Sequence, residues 1–489
     1  MTTHGISFPA QADGSRSTTT FGRAVVADAL RPVDPVGAGA VEGETAWRSR
    51  YLLHFRRLVE AGLPSAEAWR AIADAGLASL RDRMVVEGGP DGDEPLGTLL
   101  DAPAERPLRT VEVKGENDPE VEITLPYRGR LLHGVELRRQ LDDWQRRGIL
   151  EPSAVKAFGI VAAHPEWLRL DGRTVVVLGA GSEMGPLEPL LRWGATVAAV
   201  DLPTPNVWER VLKTARAGAG RLLVPVSTDD DGAENRLSQS AGVDLLAEVP
   251  AIADWLGDLG NGLVIGNSLY ADGGTHVRIT AAADMLVERV TRACPDTALA
   301  FLATPTDVFA VPREAVEQST QAYTERSGTS KTLGRPLRWA SRGRLLHRAY
   351  APDADPGIAD SLVPAQGPNY ALAKRVQRWR AAAARRDGQQ VSFHVAPSTR
   401  TRSVVKNRAL AAAFAGAHRF GVEVFDPDTA HTLMAALLVH DLMQGTPEHD
   451  HPWQDEAFAA VHGGLWRAAY EPRSALGLAA VLGYASSRG

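Results

Sequence analysis

Apolar and polar residues follow two different periods along this chain. Between residues 44 and 83 the apolar positions recur every three or four residues in two runs, which predicts two helices. Two more helices are predicted at 134–147 and 152–164. Between the two pairs, residues 111–129 predict two short strands around a loop at 115–119. The first third of the chain is therefore expected to be mainly helical.

From about residue 174 onward, short β-branched runs alternate with helical segments, a pattern typical of parallel α/β units. The predicted strands are 174–178, 196–200, 221–226, 262–266, 298–303 and 390–395. We therefore expect an α/β fold: a doubly wound, Rossmann-type, mainly parallel sheet, with a helical N-terminal region and a helical C-terminal extension.

The same patterns divide the chain into four stretches. Residues 1–43 contain few apolar residues and many Gly, Pro, Ser and Thr residues, so a disordered tail is expected there. Residues 44–168 form the helical N-terminal region and residues 169–452 the Rossmann-type domain, with an insertion at about 305–366. Residues 453–489 form the C-terminal extension.

Charge and composition indicate which kinds of partner the protein is expected to bind. The formal net charge is −6 over 489 residues, and basic residues are interspersed with acidic ones, so the charge pattern of a nucleic-acid binder is missing. The single cysteine, Cys294, excludes an intramolecular disulfide. The polar N-terminus predicts no signal peptide, and no apolar stretch is long enough for a membrane span. We expect a cytoplasmic protein with a small-molecule substrate; self-association into a homo-oligomer is left open.

A glycine-rich turn follows the first predicted strand of the α/β segment. The residues assigned to cofactor binding in this turn are Gly179, Gly181, Ser182, Met184 and Gly185. A helix is expected from about Pro186, so that backbone N–H groups and the helix dipole face an anion such as a pyrophosphate. Asp201 ends the next strand, where a carboxylate accepts hydrogen bonds from ribose hydroxyls and repels a 2′-phosphate. The pattern favours NAD, with NADP as the alternative.

A second motif lies near residue 370. Tyr370 and Lys374 are four residues apart, which places both side chains on one face of a helix. An ammonium held near a phenol favours the phenolate and lowers its pKa towards neutrality. That is what the reduction of a carbonyl requires of its proton donor.

Four elements in sequence order resemble the short-chain dehydrogenase/reductase family over about residues 170–444. The segment NYALAKR resembles the family's Tyr-x-x-x-Lys helix, and Pro397 to Thr401 resemble its Pro-Gly loop ending in threonine. LVIGNSLY, with Asn267, is similar to its Asn-Asn-Ala-Gly element, and FDPDTAHTLMAALLVHD to its late helix. The resemblance implies a nicotinamide cofactor contacted by Asn267, Lys374, Pro397 and Thr401. It also implies that Tyr370 transfers the proton.

The sequence departs from the family pattern at three places. Glu183 stands where the family has its third glycine, and Pro225 where it has an aspartate after the third strand. The catalytic serine is missing from its usual place. Thr304, Thr306 and Ser361 are the alternatives for the hydroxyl that orients the carbonyl. His276, interpreted as a loop residue, could also face the substrate.

Two other functions remain open. An S-adenosylmethionine-dependent methyltransferase accounts for the glycine turn and Asp201, but it leaves Tyr370 and Lys374 unexplained. A non-catalytic dinucleotide-binding or assembly protein accounts for the fold and for the missing serine. No metal site is predicted, although His440, Asp441, His449, Asp450 and His451 lie close in sequence, because the stretch 443–453 is interpreted as an exposed polar loop.

Overall fold

The computed structural model describes residues 5–89, 92–229, 236–325 and 345–486. Its strands are β1 (Ile6–Ser7), β2 (Val85–Gly89), β3 (Gly92–Pro95), β4 (Leu108–Lys114), β5 (Leu125–Tyr127), β6 (Arg130–Leu132), β7 (Thr174–Leu178), β8 (Thr196–Val200), β9 (Arg221–Ser227), β10 (Leu263–Asn267), β11 (Ala298–Ala303), β12 (Val308–Val311), β13 (Gly357–Asp360) and β14 (Val391–Val395).

Along the chain, helices separate most of these strands. They are α1 (Thr18–Leu30), α2 (Pro35–Glu42), α3 (Trp47–Gly62), α4 (Ala66–Arg83), α5 (Gly134–Arg146), α6 (Pro152–Ala163), α7 (Leu187–Arg192), α8 (Pro205–Arg216), α9 (Leu237–Ser240), α10 (Val249–Asp258), α11 (Gly274–Ala293), α12 (Arg313–Glu325), α13 (Pro368–Arg386), α14 (Arg402–Lys406), α15 (Arg408–Gly416), α16 (Pro427–Gln444), α17 (Pro452–Ala457) and α18 (Pro472–Ser486).

A seven-stranded sheet in the order β14-β11-β10-β7-β8-β9-β4 forms the centre of the fold. The first six of these strands are parallel, and β4 is added antiparallel to β9 at the edge. The chain moves in one direction from β7 through β8 and β9, and then in the other through β10, β11 and β14. In doubly wound sheets, ligands bind where the strand order reverses, here between β7 and β10. The predicted Rossmann-type fold and all six predicted strands are confirmed.

Alternate residues of the parallel strands enter two separate cores, because successive strand side chains point to opposite faces. Val176 and Leu178 of β7 pack in the core that contains α1 to α4, α10, α11 and α13. Val175 and Val177 pack in the core that contains α5 to α8 and α16. Both faces of the sheet are therefore covered, which explains why its strands read as continuous apolar runs.

The prediction of a disordered tail at 1–43 is wrong for the described residues 5–43. Helix α1 begins after Ser17, whose side chain accepts a hydrogen bond from the backbone N–H of Thr20. Phe21, Val25 and Leu30 are buried in the first core. Composition suggested disorder because small polar residues dominate the stretch, whereas a few apolar residues at helical spacing suffice to dock α1.

Two local predictions also differ from the structure. Residues 120–124 form no strand; β4 pairs with β9, and β5 forms a hairpin with β6. In the insertion at 305–366, β12 and β13 form an antiparallel pair and α12 follows β12, while residues 326–344 lie outside the described residues. None of the helices in the described ranges is both long and apolar enough to cross a bilayer.

Candidate active site

Four of the predicted site residues follow the carboxyl ends of neighbouring parallel strands. Gly179 follows β7, Asn267 is the last residue of β10, Thr304 follows β11, and Pro397 lies just beyond β14. The register of these strands aligns their carboxyl ends along one edge of the sheet. The fold thus brings the glycine turn and the other elements of the resemblance to the edge where the strand order reverses.

The glycine turn lies directly on the loop after β10. Gly179 has a φ of 82°, and a Cβ there would lie 3.1 Å from the carbonyl oxygen of Ser268. Only glycine is suited to a position with both constraints. At Gly185 the nearest atoms would be 3.6 Å from a Cβ, an ordinary contact.

Asp201 is bound to this turn by hydrogen bonds. Its Oδ2 accepts from the backbone N–H of Gly181 at 2.7 Å, and its Oδ1 from that of Leu202 at 2.8 Å. Burial raises the pKa of Asp201, while these bonds and the nearby Arg210 oppose the rise. Arg210 is a cation close to the proposed ribose site, and the sequence pattern did not reveal it.

The helix after the turn begins where it was predicted and is short. It covers only Leu187–Arg192, so few peptide dipoles align behind the turn. The Ser182 hydroxyl accepts a hydrogen bond from the backbone N–H of Met184 at 3.3 Å, and Met184 packs partly buried against the second core. Ser182 therefore shapes the turn.

Glu183 links the turn to the loop after β14. Its carboxylate lies 2.8 Å from Nε of Arg402 and accepts the backbone N–H of Arg402 at 2.8 Å. His431 contacts the carbonyl oxygen of Glu183. Thr401 is the N-cap residue of α14, next to Arg402, and the carbonyl of Pro397 accepts a hydrogen bond from Thr399. The residue that replaces the family's third glycine therefore has a cationic partner.

Tyr370 lies half-buried in the first turn of α13, close enough to Thr304 for the Thr304 side chain to lower the pKa of its phenol. The hydroxyls of Thr304 and Thr306 are 2.9 Å apart, and Nε2 of Gln366 donates to Thr306 at 2.8 Å. A chain of hydrogen bonds thus leads from Gln366 through Thr306 to Thr304, which lies beside Tyr370.

Lys374 lies on the same helix, but its ammonium has other partners. It donates to the carbonyl oxygen of Leu302 and to Oε1 of Gln377, each at 3.2 Å. Nε2 of Gln377 in turn donates to Oδ1 of Asn267 at 3.4 Å. Burial lowers the pKa of Lys374 to about 8, an effect that the Asp307 carboxylate opposes.

The expected lowering of the phenol pKa is wrong for this geometry. Burial raises the pKa of Tyr370 to about 12, and the neighbouring Thr304 side chain opposes only part of the rise. The helical spacing predicted a shared face correctly. The spacing could not predict that the buried Lys374 ammonium donates to the carbonyl oxygen of Leu302 on β11.

Ser361 does not join this site. It is buried just after β13, and its backbone N–H donates to the carbonyl oxygen of Asp307 at 3.1 Å. Its side chain lines a separate cavity with Arg56 and Arg348. Of the three candidate hydroxyls, Thr304 meets Tyr370 directly and Thr306 supports Thr304.

His276 lies in a helix beside Tyr370, whereas the sequence suggested a loop residue. It lies in the first turn of α11 and is fully buried, with ring centroids 5.3 Å from Tyr370 and 5.4 Å from Tyr270. Neither ring nitrogen has a hydrogen-bond partner within the described part of the chain. Burial, and secondarily Lys374, lowers the pKa of His276 to about 3, so the imidazole is neutral.

His440 and Asp441 precede the polar loop predicted at 443–453. His440 and Asp441 are buried at the end of α16. Asp441 accepts from the hydroxyl of Ser392 at 2.7 Å and lies 2.7 Å from His394, both on β14. These contacts hold α16 against the edge strand. Separately, Glu188, Asp428 and His431 bring ligand-type atoms within 4.8 Å of one another, but both carboxylates are exposed.

The sequence matches no protein-family model, and no curated protein matches it. The solved structures that align with part of the chain include the following three. A double mutant of a Serratia marcescens short-chain dehydrogenase/reductase aligns over 61% of this chain and 99% of its own, with 14% identity and a TM-score of 0.35. A Burkholderia thailandensis oxidoreductase of the same family aligns over 60% and 92%, with 15% identity and a TM-score of 0.31.

The third is the terminal R domain of the myxalamid PKS-NRPS biosynthetic pathway. It aligns over 60% of this chain and 68% of its own, with 15% identity and a TM-score of 0.29. At these identities and TM-scores, the alignments establish neither a family nor an activity for this chain.

Proposed function

We propose that the protein is an NAD(P)-dependent oxidoreductase of the short-chain dehydrogenase/reductase type, which reduces a carbonyl or oxidises an alcohol of a small molecule. The observation that carries the proposal is the proximity of the Tyr370 and Thr304 side chains at the carboxyl end of β11. This pair lies along the same sheet edge as the glycine turn, where a doubly wound sheet binds its ligands.

The two hydroxyls suit the reductive direction. A phenol with a pKa of about 12 stays protonated at neutral pH, so Tyr370 is available to donate a proton to the carbonyl oxygen. The Thr304 hydroxyl, held by Thr306 and Gln366, can orient that oxygen. When bound, the nicotinamide supplies or accepts the hydride. Tyr370 and Thr304 move the proton and position the substrate.

The residues of the turn fit a dinucleotide in most respects. The absence of a Cβ at Gly179 lets the turn approach Ser268. The backbone N–H groups of Gly181 and Gly185 donate to Asp201 and Ser182, so a bound pyrophosphate would share or displace these bonds. Glu183 adds a negative charge near the pyrophosphate position, and Arg402 neutralises it. We further propose that Asn267, Lys374, Pro397 and Thr401 contact the nicotinamide half.

We propose NAD as the preferred cofactor, because the Asp201 carboxylate lies beside the turn and repels a 2′-phosphate. NADP is the alternative cofactor, because the Arg210 guanidinium lies close to Asp201. It is near enough to oppose the rise in the pKa of the Asp201 carboxyl.

A non-catalytic dinucleotide-binding protein is the second candidate. Two observations favour it: the Lys374 ammonium is engaged by Leu302 and Gln377, and the pKa of Tyr370 is raised. Binding of a dinucleotide without any oxidation of its reduced form by a panel of aldehydes and ketones would select this candidate.

The experiment that tests the proposal is a thermal-shift panel with NAD, NADP, their reduced forms and S-adenosylmethionine. A ligand at about 100 times its dissociation constant stabilises the native state by about 2.7 kcal/mol. We expect the dinucleotides to raise Tm and S-adenosylmethionine to leave it unchanged. The reverse result would replace the proposal with a methyltransferase.

A pair of glycine variants locates the site. Gly179→Val should abolish the shift given by the dinucleotide, because its side chain meets the backbone of Ser268. Gly159→Ala is the matched control, since a Cβ there meets nothing within 4 Å. Dinucleotide binding that survives Gly179→Val in a folded protein would place the cofactor elsewhere.

A further inference from the structure

A cavity of about 220 Å³ lies outside the Tyr370 site, between α3, β13 and the segment before α18. Its polar lining consists of Arg56, Arg348, Tyr350, Asp360, Ser361 and Glu471. None of these residues belongs to the proposed cofactor or proton-transfer machinery. The backbone N–H of Ser361 donates to the carbonyl oxygen of Asp307, on the side of the cavity towards that site.

Three polar atoms around this cavity are buried without a hydrogen-bond partner among the described residues. They are Oδ1 of Asp360, Oγ of Ser361 and Nε of Arg348. The side chains of Asp360 and Ser361 are more than nine-tenths buried. Leaving such an atom unpaired costs about 1–3 kcal/mol, and more when the group is charged. Three in one cavity of this size indicate that another molecule supplies the missing partners.

The surrounding charges define which groups that molecule must carry. Oδ2 of Asp360 is already paired with Arg473 at 2.6 Å and lies 3.6 Å from Arg56, so only Oδ1 is left to accept. A carboxylate oxygen there requires a donor, either a hydroxyl or an ammonium. The guanidinium of Arg348 donates to Thr320 at 2.9 Å through Nη2 and keeps Nε for an acceptor. Arg56 adds a second positive charge at the rim.

We propose that this cavity binds a small organic carboxylate that also carries a hydroxyl or an ammonium group. Its carboxylate pairs with Arg348 and Arg56, and its donor group binds Oδ1 of Asp360 and the hydroxyl of Ser361. A cavity of about 150 Å³ admits a benzene-sized molecule, so 220 Å³ accommodates a three-carbon or four-carbon acid. The proposal is independent of the function proposed for Tyr370.

The test is calorimetric titration of the full chain with four three-carbon probes. D-glycerate and L-serine carry both a carboxylate and a donor, propionate carries only the carboxylate, and glycerol carries only hydroxyls. We expect D-glycerate, L-serine or both to bind at least tenfold more tightly than propionate and glycerol. No binding of either at about 10 mM, ten times a weak dissociation constant of about 1 mM, would overturn the proposal. Equal affinity for propionate would do the same.

Variants then locate the bound probe. Arg348→Gln should weaken binding at least tenfold, and Ser361→Ala several-fold, while the exposed Arg313→Gln leaves it unchanged. Unaltered binding by a folded Arg348→Gln or Ser361→Ala protein would show that the probe sits elsewhere and that the assignment is wrong. If one of the two variants does not fold, the other decides. Dinucleotide thermal shifts in the same variants should stay normal, which separates this result from the fate of the proposed function.

Discussion

At the scale of single residues, the Tyr370 hydroxyl and its partner Thr304 are the groups on which the proposed reaction depends. Tyr370→Phe and Thr304→Val should each lower the rate of single-turnover oxidation of the reduced cofactor by roughly 10²–10⁴-fold, because each removes one hydroxyl from the proton transfer. The double variant should be little worse than the worse single one, as for residues that act together. Thr304→Ser should retain most of the rate.

The control for this series is Tyr484→Phe, since Tyr484 is an exposed tyrosine on α18. Cofactor binding, followed by thermal shift, should be close to normal in every variant of the series. A Tyr370→Phe protein that keeps most of its rate would remove this pair from the mechanism.

Lys374 leads to a prediction about pH. Its pKa is lowered to about 8, so the ammonium loses its charge as pH rises through about 8 rather than through the ordinary value of 10.5. If this charge holds the nicotinamide ribose, the dinucleotide affinity should be full below pH 8 and fall above it. Titrations from pH 6.5 to pH 9.5 check this, and Lys374→Met should bind weakly throughout. A flat profile for the unmodified protein would show that the ammonium does not contact the cofactor.

His276 should show opposite effects on stability and function. Both ring nitrogens lack partners in the described structure, and an unpaired buried polar group costs about 1–3 kcal/mol. His276→Leu should therefore leave the free energy of unfolding unchanged or raise it. Turnover should fall if the imidazole faces the substrate beside Tyr370. Urea denaturation measures the first effect and single-turnover kinetics the second; lower stability with normal turnover would make His276 a packing residue.

The residue types at this site were predictable, but their partners were not. The order of motifs identified Tyr370, Lys374, Asn267 and the glycine turn. Sequence spacing carries no information on which acceptor a buried ammonium prefers, or on a cation such as Arg402 that arrives from a distant loop. Ser361 was a reasonable candidate by sequence proximity, yet the antiparallel pairing of β12 with β13 places its side chain in a different cavity.

At the scale of elements, the parallel strands were predicted almost to the residue, because strands buried on both faces leave continuous β-branched runs. The region of β4 was predicted less well. Its partner β9 begins about a hundred residues later, and no local pattern records an antiparallel pairing at that distance. Helix α1 was missed for a compositional reason, since Gly, Ser and Thr surround the few apolar residues that anchor it.

The docking of α1 is open to a direct test. Phe21 is buried and packs edge to face against Phe8, with ring centroids 5.0 Å apart. Phe21→Ala should lower the free energy of unfolding by about 3–5 kcal/mol, because it leaves a cavity in the core. Val36→Ala, at a side chain that is 78% exposed, is the control and should have almost no effect. If Phe21→Ala also left the free energy of unfolding almost unchanged in urea denaturation, residues 5–43 would behave as the disordered tail that composition suggested.

At the scale of the whole molecule, buried ion pairs connect segments that are distant in sequence. Glu151, just before α6, lies 2.9 Å from Nε2 of His462 and accepts two hydrogen bonds from Arg467, at 2.8 and 2.7 Å. Asp441 joins α16 to β14 in the same way. Buried ion pairs thus fix the C-terminal segment to the N-terminal helical region and to the edge of the sheet. Breaking one partner of such a pair typically costs about 3–5 kcal/mol.

These pairs predict that acid weakens the whole fold. The His462 and Arg467 side chains overcome burial and hold the pKa of Glu151 at about 2, below its ordinary 4.5; His394 holds that of Asp441 at about 2, below 3.8. A depressed carboxyl pKa contributes stability that is present above the unfolded value and is lost as pH falls through the folded one. Burial lowers the pKa of His462, so its contribution also declines as pH falls below 6.5.

The free energy of unfolding should therefore drop between pH 6.5 and pH 2, with Glu151 alone accounting for about 3 kcal/mol of the loss. Urea denaturation at pH 7, 5, 4 and 3 measures the decline. Glu151→Gln should be less stable than the unmodified protein at pH 7, because Arg467 loses its buried partner. It should also show a shallower dependence on pH, because the group that titrates has gone. Arg313→Gln, which changes only an exposed ion pair, should reproduce the unmodified profile. An unfolding free energy that stays constant from pH 7 to pH 3, or a Glu151→Gln protein with an unchanged slope, would show that this network does not govern the response of the fold to acid.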